Sequence, residues 1–109
     1  MLDIDANTKT DLKQRESYNW VFANIKGNDV STGEQWIKYA HPNPPKGSGF
    51  HRFVFLIFEH SSPINFKLPK IESNVLEGRN LRNTAKFAEE NGLGAPTHVF
   101  MIYVKNFEG

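Results

Sequence analysis

The sequence predicts a mainly β domain: an antiparallel β-sandwich with Greek-key connections and one or two short peripheral helices. Three observations predict it. Phe53-Val54-Phe55-Leu56-Ile57-Phe58 is an unbroken apolar run. Its length and its aromatic and β-branched content are those of a central strand covered on both faces. Strand-like stretches at residues 20–25, 36–39 and 97–104 are separated by clusters of turn residues. A helical pattern with both caps occurs once, late in the chain, so strands outnumber helices.

Each element follows from local chemistry. Residues 6–16 are polar and without a period, which predicts a surface loop. Trp20-Val21-Phe22-Ala23-Asn24-Ile25 predicts a strand, and Lys26-Gly27-Asn28-Asp29 a turn. A short extended piece is expected around Val30, then a second strand at Trp36-Ile37-Lys38-Tyr39. His41-Pro42-Asn43-Pro44-Pro45 excludes a helix, because proline lacks the N–H and biases its predecessor to extended backbone. After the central strand, residues 59–63 read as a turn. Ile64-Asn65-Phe66-Lys67-Leu68 alternates with period two and predicts a short edge strand ended by Pro69. Asn80 or Asn83 caps a helix over 84–91 that stops at Gly92, with Leu81, Ala85 and Ala88 on one face. Residues 97–104 form a last strand.

Composition sets the bounds. A chain of 109 residues holds one domain, so residues 1–109 are read as a single unit. Apolar residues at 39%, with nine phenylalanines, argue for a packed core against disorder. A formal charge of +1 gives no basic field for nucleic acid or anionic membrane. The absence of cysteine excludes disulfides, thiol catalysis and cysteine zinc sites. No apolar run approaches the roughly 18 residues of a spanning helix. Acidic Asp3 and Asp5 directly after Met1 do not fit a signal peptide, so the expected compartment is cytoplasmic. An upstream targeting segment would make it mitochondrial or secreted instead.

The residues with chemical promise gather around Pro44-Pro45-Lys46-Gly47-Ser48-Gly49-Phe50-His51-Arg52. Two glycines let the backbone approach a ligand and aim its N–H groups, a concavity suited to anions. His51 stands where the loop becomes a strand and donates to an anion when protonated. Asp3 and Asp5, two apart, face one side if they lie on a strand, a like-charge pair fit for acid–base or metal work. Two solvated acids near a chain start is the simpler reading of that spacing. Arg52 reads as half of a structural salt bridge. Lys46 is not part of a phosphate-binding Gly-x-x-x-x-Gly-Lys loop, and Ser17, Ser31 and Ser48 lack a nucleophile-elbow context. The remaining histidines have no metal-ligand spacing. No catalytic residue, metal site or cofactor is expected.

Pro-Pro-Lys-Gly-Ser-Gly-Phe-His-Arg-Phe-Val-Phe resembles a hallmark of the phosphatidylethanolamine-binding protein (PEBP) family, and the likeness runs from Asp3 to about Tyr103. Asp3-Ile4-Asp5-Ala6 falls on the family's Asp-Pro-Asp-x-Pro hallmark. The resemblance implies a PEBP-like fold that here lacks its first strands and its C-terminal helix, a partial domain incomplete at both ends. It also implies a pocket for a phospholipid head group or other small anion. The matching positions are Asp3, Asp5, Asn19, Pro45, Gly47, Gly49, His51 and Phe53. Several depart from the family: Ile4 and Asn7 replace prolines, Asn19 replaces a histidine and Phe53 a tyrosine. Weaker anion binding than in typical members is the expectation.

Three functions follow from that resemblance. One is a non-enzymatic binding module that regulates a protein kinase or other signalling protein. The second is a structural protein of the mitochondrial large ribosomal subunit, the one case in which nucleic acid would be a partner. The third is a truncated copy without independent activity.

Overall fold

The computed structural model describes residues 1–6, 14–75 and 77–107. The surface loop expected at residues 6–16 falls largely outside them. The elements are β1 (Leu2–Asp3), β2 (Ser17–Tyr18), β3 (Val21–Ala23), β4 (Glu34–Ile37), β5 (His51–Ile57), α1 (Thr84–Glu90) and β6 (His98–Val104). They form a four-stranded antiparallel sheet, β2-β1-β5-β6, and a two-stranded one, β3-β4. The fold is mainly β, as the patterning predicts, with one α-helix among the described residues.

The core lies between the sheets. Leu2 and Tyr18 of the larger sheet meet Ala23, Trp36 and Ile37 of the smaller. Phe66, Leu68 and Ile71 enter from a loop, and Ala88 and Leu93 from the end of α1. Val54, Leu56 and Phe58 pack against this cluster from β5. On the opposite face exposure grows from 0% at His51 to 45% at Ile57. The expectation of cover on both faces therefore holds at the start of β5 and fails at its end. β6 is an outer strand, exposed from His98 through Tyr103.

Three local expectations are overturned, each by a side chain that competes with regular structure. Val30–Thr32 is a turn of 3-10 helix, because the Asp29 carboxylate accepts from the Ser31 amide and hydroxyl. Residues 64–68 form no strand, although Phe66 and Leu68 are buried as the alternation requires. Their backbone is held by side chains instead. Asn24 accepts from the Ile64 amide and donates to its carbonyl, both at 2.9 Å. Asn91 accepts from the Lys67 amide, and Trp36 Nε1 donates to the Leu68 carbonyl at 2.6 Å. Leu81 is 69% exposed with φ at 61° and Ala85 is exposed too, so neither shares the buried face with Ala88. Phe87, stacked on Phe66 at 5.7 Å, takes that role. The cap is Asn83, whose side chain accepts from the Lys86 amide at 3.1 Å.

Arg79 is 2% exposed and, among the described residues, donates to four backbone carbonyls: Val75, Ser73, Tyr18 and Asn19. It ties β2 and its exit to the loop before α1. Burial lowers its pKa from the usual arginine value. Arg79→Met removes all four donations and is expected to cost at least about 2 kcal/mol by urea unfolding, with Arg79→Lys recovering part of the loss. Asn24 sits at φ 58° as well as bracing Ile64. Asn24→Ala should therefore destabilise by roughly 1–3 kcal/mol, and Asn24→Gly by less, since glycine keeps the backbone conformation free of strain.

Candidate functional site

The site grows from the pairing of β1 with β5. Antiparallel register sets Asp3 opposite Phe53, which brings the Asp3 carboxylate to the start of β5. Asp3 Oδ2 lies 2.7 Å from Nδ1 of the fully buried His51. Asp3 Oδ1 accepts from the Asp5 amide at 2.8 Å. One carboxylate thus orients the imidazole and closes the turn behind β1 at once. Phe53, 2% exposed, stacks against the His51 ring at 6.3 Å between centroids.

The two acids do not form a shared pair. β1 ends at Asp3 and the chain turns at Ile4 and Asp5, so the strand alternation assumed from spacing does not apply. Asp5 is fully buried and belongs to Arg52. Its Oδ2 accepts from the Arg52 amide at 2.9 Å and Nε at 2.8 Å, and its Oδ1 accepts from Nη2 at 2.8 Å. This fork matches guanidinium to carboxylate geometry. The hydrogen bond to Asp5, reinforced by the carboxylate charge, raises the Arg52 pKa above its usual value. Arg52 is thus the structural salt bridge that the sequence suggests.

The loop ahead of β5 closes on itself. The Ser48 amide and hydroxyl both lie within hydrogen-bond distance of the Pro45 carbonyl, at 3.1 and 2.6 Å. Gly47 and Gly49 flank Ser48 with φ of 78° and 79°, and a Cβ at either would meet open space. A side chain there is excluded by backbone conformation rather than by crowding. Ser48 Oγ is also 2.8 Å from His51 Nε2. Both ring nitrogens of His51 are therefore engaged, one by Asp3 and one by Ser48.

Asn19 acts at the loop's far end. Its Nδ2 donates to the Ala40 carbonyl at 3.0 Å, while its own carbonyl accepts from the Ala40 amide at 2.8 Å. This fixes the chain just before the proline run. Asn19 Oδ1 is buried without a partner among the described residues. Sequence reasoning sets Ser48 aside for want of a nucleophile-elbow context and does not place it in the site; its signal is modest, a hydroxyl three residues before a histidine, between two glycines. Among the described residues no group of three histidines or acids is placed to hold a metal ion. A separate open groove of about 540 Å³ lies on the other face of β5, lined by Leu56, Phe58, Ala88 and Pro96 among others. It is apolar and distant in chemistry from the His51 site.

Comparison with known proteins agrees with this architecture. A relative from Drosophila melanogaster, provisionally named odorant-binding protein A5, is 28% identical over 96 residues, covering 88% of this chain and 46% of the relative. The crystal structure of carboxypeptidase Y inhibitor complexed with its cognate proteinase superposes with a TM-score of 0.76 at 29% identity, over 96% of this chain and 57% of the other. The chain thus spans about half the length of these relatives. The profile of the family described as phosphatidylethanolamine-binding protein matches residues 1–103. With the Gly-Ser-Gly-Phe-His-Arg seam inside that match, the chain belongs to the phosphatidylethanolamine-binding protein family.

Proposed function

We propose that this chain is a binding module whose Pro44–His51 loop receives a small anion, a phospholipid head group or another phosphate. Family membership supports a binding role in general. The observation that carries the finer reading is the relay Asp3–His51–Ser48 at the base of a loop opened by Gly47 and Gly49. Asp3 and Asp5 act from behind. The Asp5 charge is matched by Arg52, and the Asp3 carboxylate is engaged by His51 and the Asp5 amide, so both acids are turned away from the ligand. The anion is met by the Ser48 hydroxyl and the backbone amides beside it.

Ser48 Oγ, with one proton and two lone pairs, serves the relay in either direction: it donates to a neutral His51 at Nε2, or accepts from a protonated one and turns its own proton toward an anion. The output of such a module is regulation through a protein partner, a kinase or other signalling protein. A precedent for protein docking in this fold is the solved inhibitor in complex with its proteinase.

The test is a proton–nitrogen NMR titration with phosphoethanolamine and with inorganic phosphate. Shifts should cluster at Gly47, Ser48, Gly49 and His51, with a millimolar Kd, about −4 kcal/mol. They should vanish in Ser48→Ala and His51→Ala proteins that stay folded. A well-dispersed spectrum without shifts at saturating ligand would reject the reading.

A further inference from the structure

We propose that Ser48 is a nucleophile, and that the Ser48–His51–Asp3 relay lets it capture an acyl or phosphonyl group from an activated ester. The proposal shares the loop with the anion reading but does not rest on it. Ser48 Oγ stands 2.8 Å from His51 Nε2, and His51 Nδ1 stands 2.7 Å from Asp3 Oδ2. A hydroxyl, an imidazole and a carboxylate in that order are the parts by which a base takes a serine proton while an acid holds the ring. The carboxylate is itself fixed, since its second oxygen holds the Asp5 amide. The imidazole is buried and stacked on Phe53, so it has one orientation.

The other half of such a site is a pair of amides for the developing oxyanion. Among the described residues no acceptor pairs with the amides of Gly49 or Phe50, immediately beyond Ser48. The open space at Gly47 and Gly49 leaves room for a substrate. Ser48 is half-buried, whereas His51 behind it is fully buried.

The Pro45 carbonyl competes for the same hydroxyl proton at 2.6 Å. Rotation about Cβ–Oγ moves that proton between Pro45 and His51 without moving the oxygen. Neutral His51 presents a lone pair at Nε2 and draws the proton; protonated His51 sends it to Pro45 or to an anion. Asp3, on β1, faces the ring directly, and the Asp5–Arg52 pair beside it is internally matched.

The step balances. Ser48 Oγ forms a bond to phosphorus of an alkyl fluorophosphonate, the P–F bond breaks and fluoride leaves. The hydroxyl proton passes to His51 Nε2. With an aryl ester the new bond is to the carbonyl carbon, the ester C–O bond breaks, and the phenol leaves with that proton.

The experiment is fluorophosphonate labelling of the full chain, read by intact mass and peptide mapping. One adduct on Ser48 is expected, absent in Ser48→Ala and slowed at least about tenfold in Asp3→Asn. Folded wild-type protein that takes no adduct at Ser48 overturns the proposal, as does an Asp3→Asn rate equal to wild type with a native NMR spectrum. Phosphate binding without labelling overturns the nucleophile and leaves the anion pocket standing. Labelling without phosphate binding supports the nucleophile alone.

Discussion

The bond from Asp3 to His51 joins three things that are distant in sequence: the first strand, the start of the central strand and the loop that precedes it. It spans 48 residues at 2.7 Å in a buried setting. Removing one partner of such a bond leaves the other buried and unsatisfied, at a cost of about 1–3 kcal/mol. Asp5 repeats the arrangement one turn later with Arg52, whose backbone amide and guanidinium both donate to it. β1 itself has just two residues, too few for ladder hydrogen bonds to set its register. The two carboxylates set it instead, and the same bonds that fix β1 fix the geometry of the loop.

The rest of the fold uses the same device. Strands here are short, so much of the backbone outside them is satisfied by buried side chains. Asn24 and Asn91 brace the 64–68 segment from opposite ends. Trp36 spends its indole N–H on the Leu68 carbonyl. Arg79 gathers four carbonyls. Glu16 holds the Thr84 amide at the start of α1, and the Tyr18 hydroxyl meets the Thr84 hydroxyl at 2.9 Å. Arg79, Trp36 and Tyr18 are buried and the others partly buried, and each has partners, which is the condition for such groups to stabilise rather than to weaken a core. Regularity is replaced by specific cross-bracing.

That replacement explains what was legible in the sequence. The central strand, the cap at Asn83 and the stop at Gly92 were readable because their causes are local: apolar alternation, an amide side chain three residues from its target, a residue free at positive φ. The glycine-flanked loop was readable for the same reason. Residues 64–68 misled because period-two burial is real there, while the hydrogen-bond partners are side chains 24 to 40 residues away. Arg79 gave no signal, since its acceptors are carbonyls, which every residue carries; the nearest on β2 is 61 residues off. The acids at 3 and 5 were singled out correctly as positions, but their separation onto two partners depends on where β1 ends, which spacing cannot supply.

Engagement of both His51 nitrogens changes what the site residues can do. A histidine with a free nitrogen touches its ligand; this one speaks through Ser48. In the proposed roles the ligand-facing atom is a hydroxyl. Gly47 and Gly49 flank it with open space at their Cβ positions, while Pro45 supplies an acceptor for its proton. Asn19 and Phe53 fit the same logic, since both support the site from behind, by fixing Ala40 and by stacking on the ring. With the ring held by Asp3 and Phe53, residue 48 is a position of this loop where a change of side chain alters the group next to His51 Nε2 without touching the bonds that hold β1 to β5.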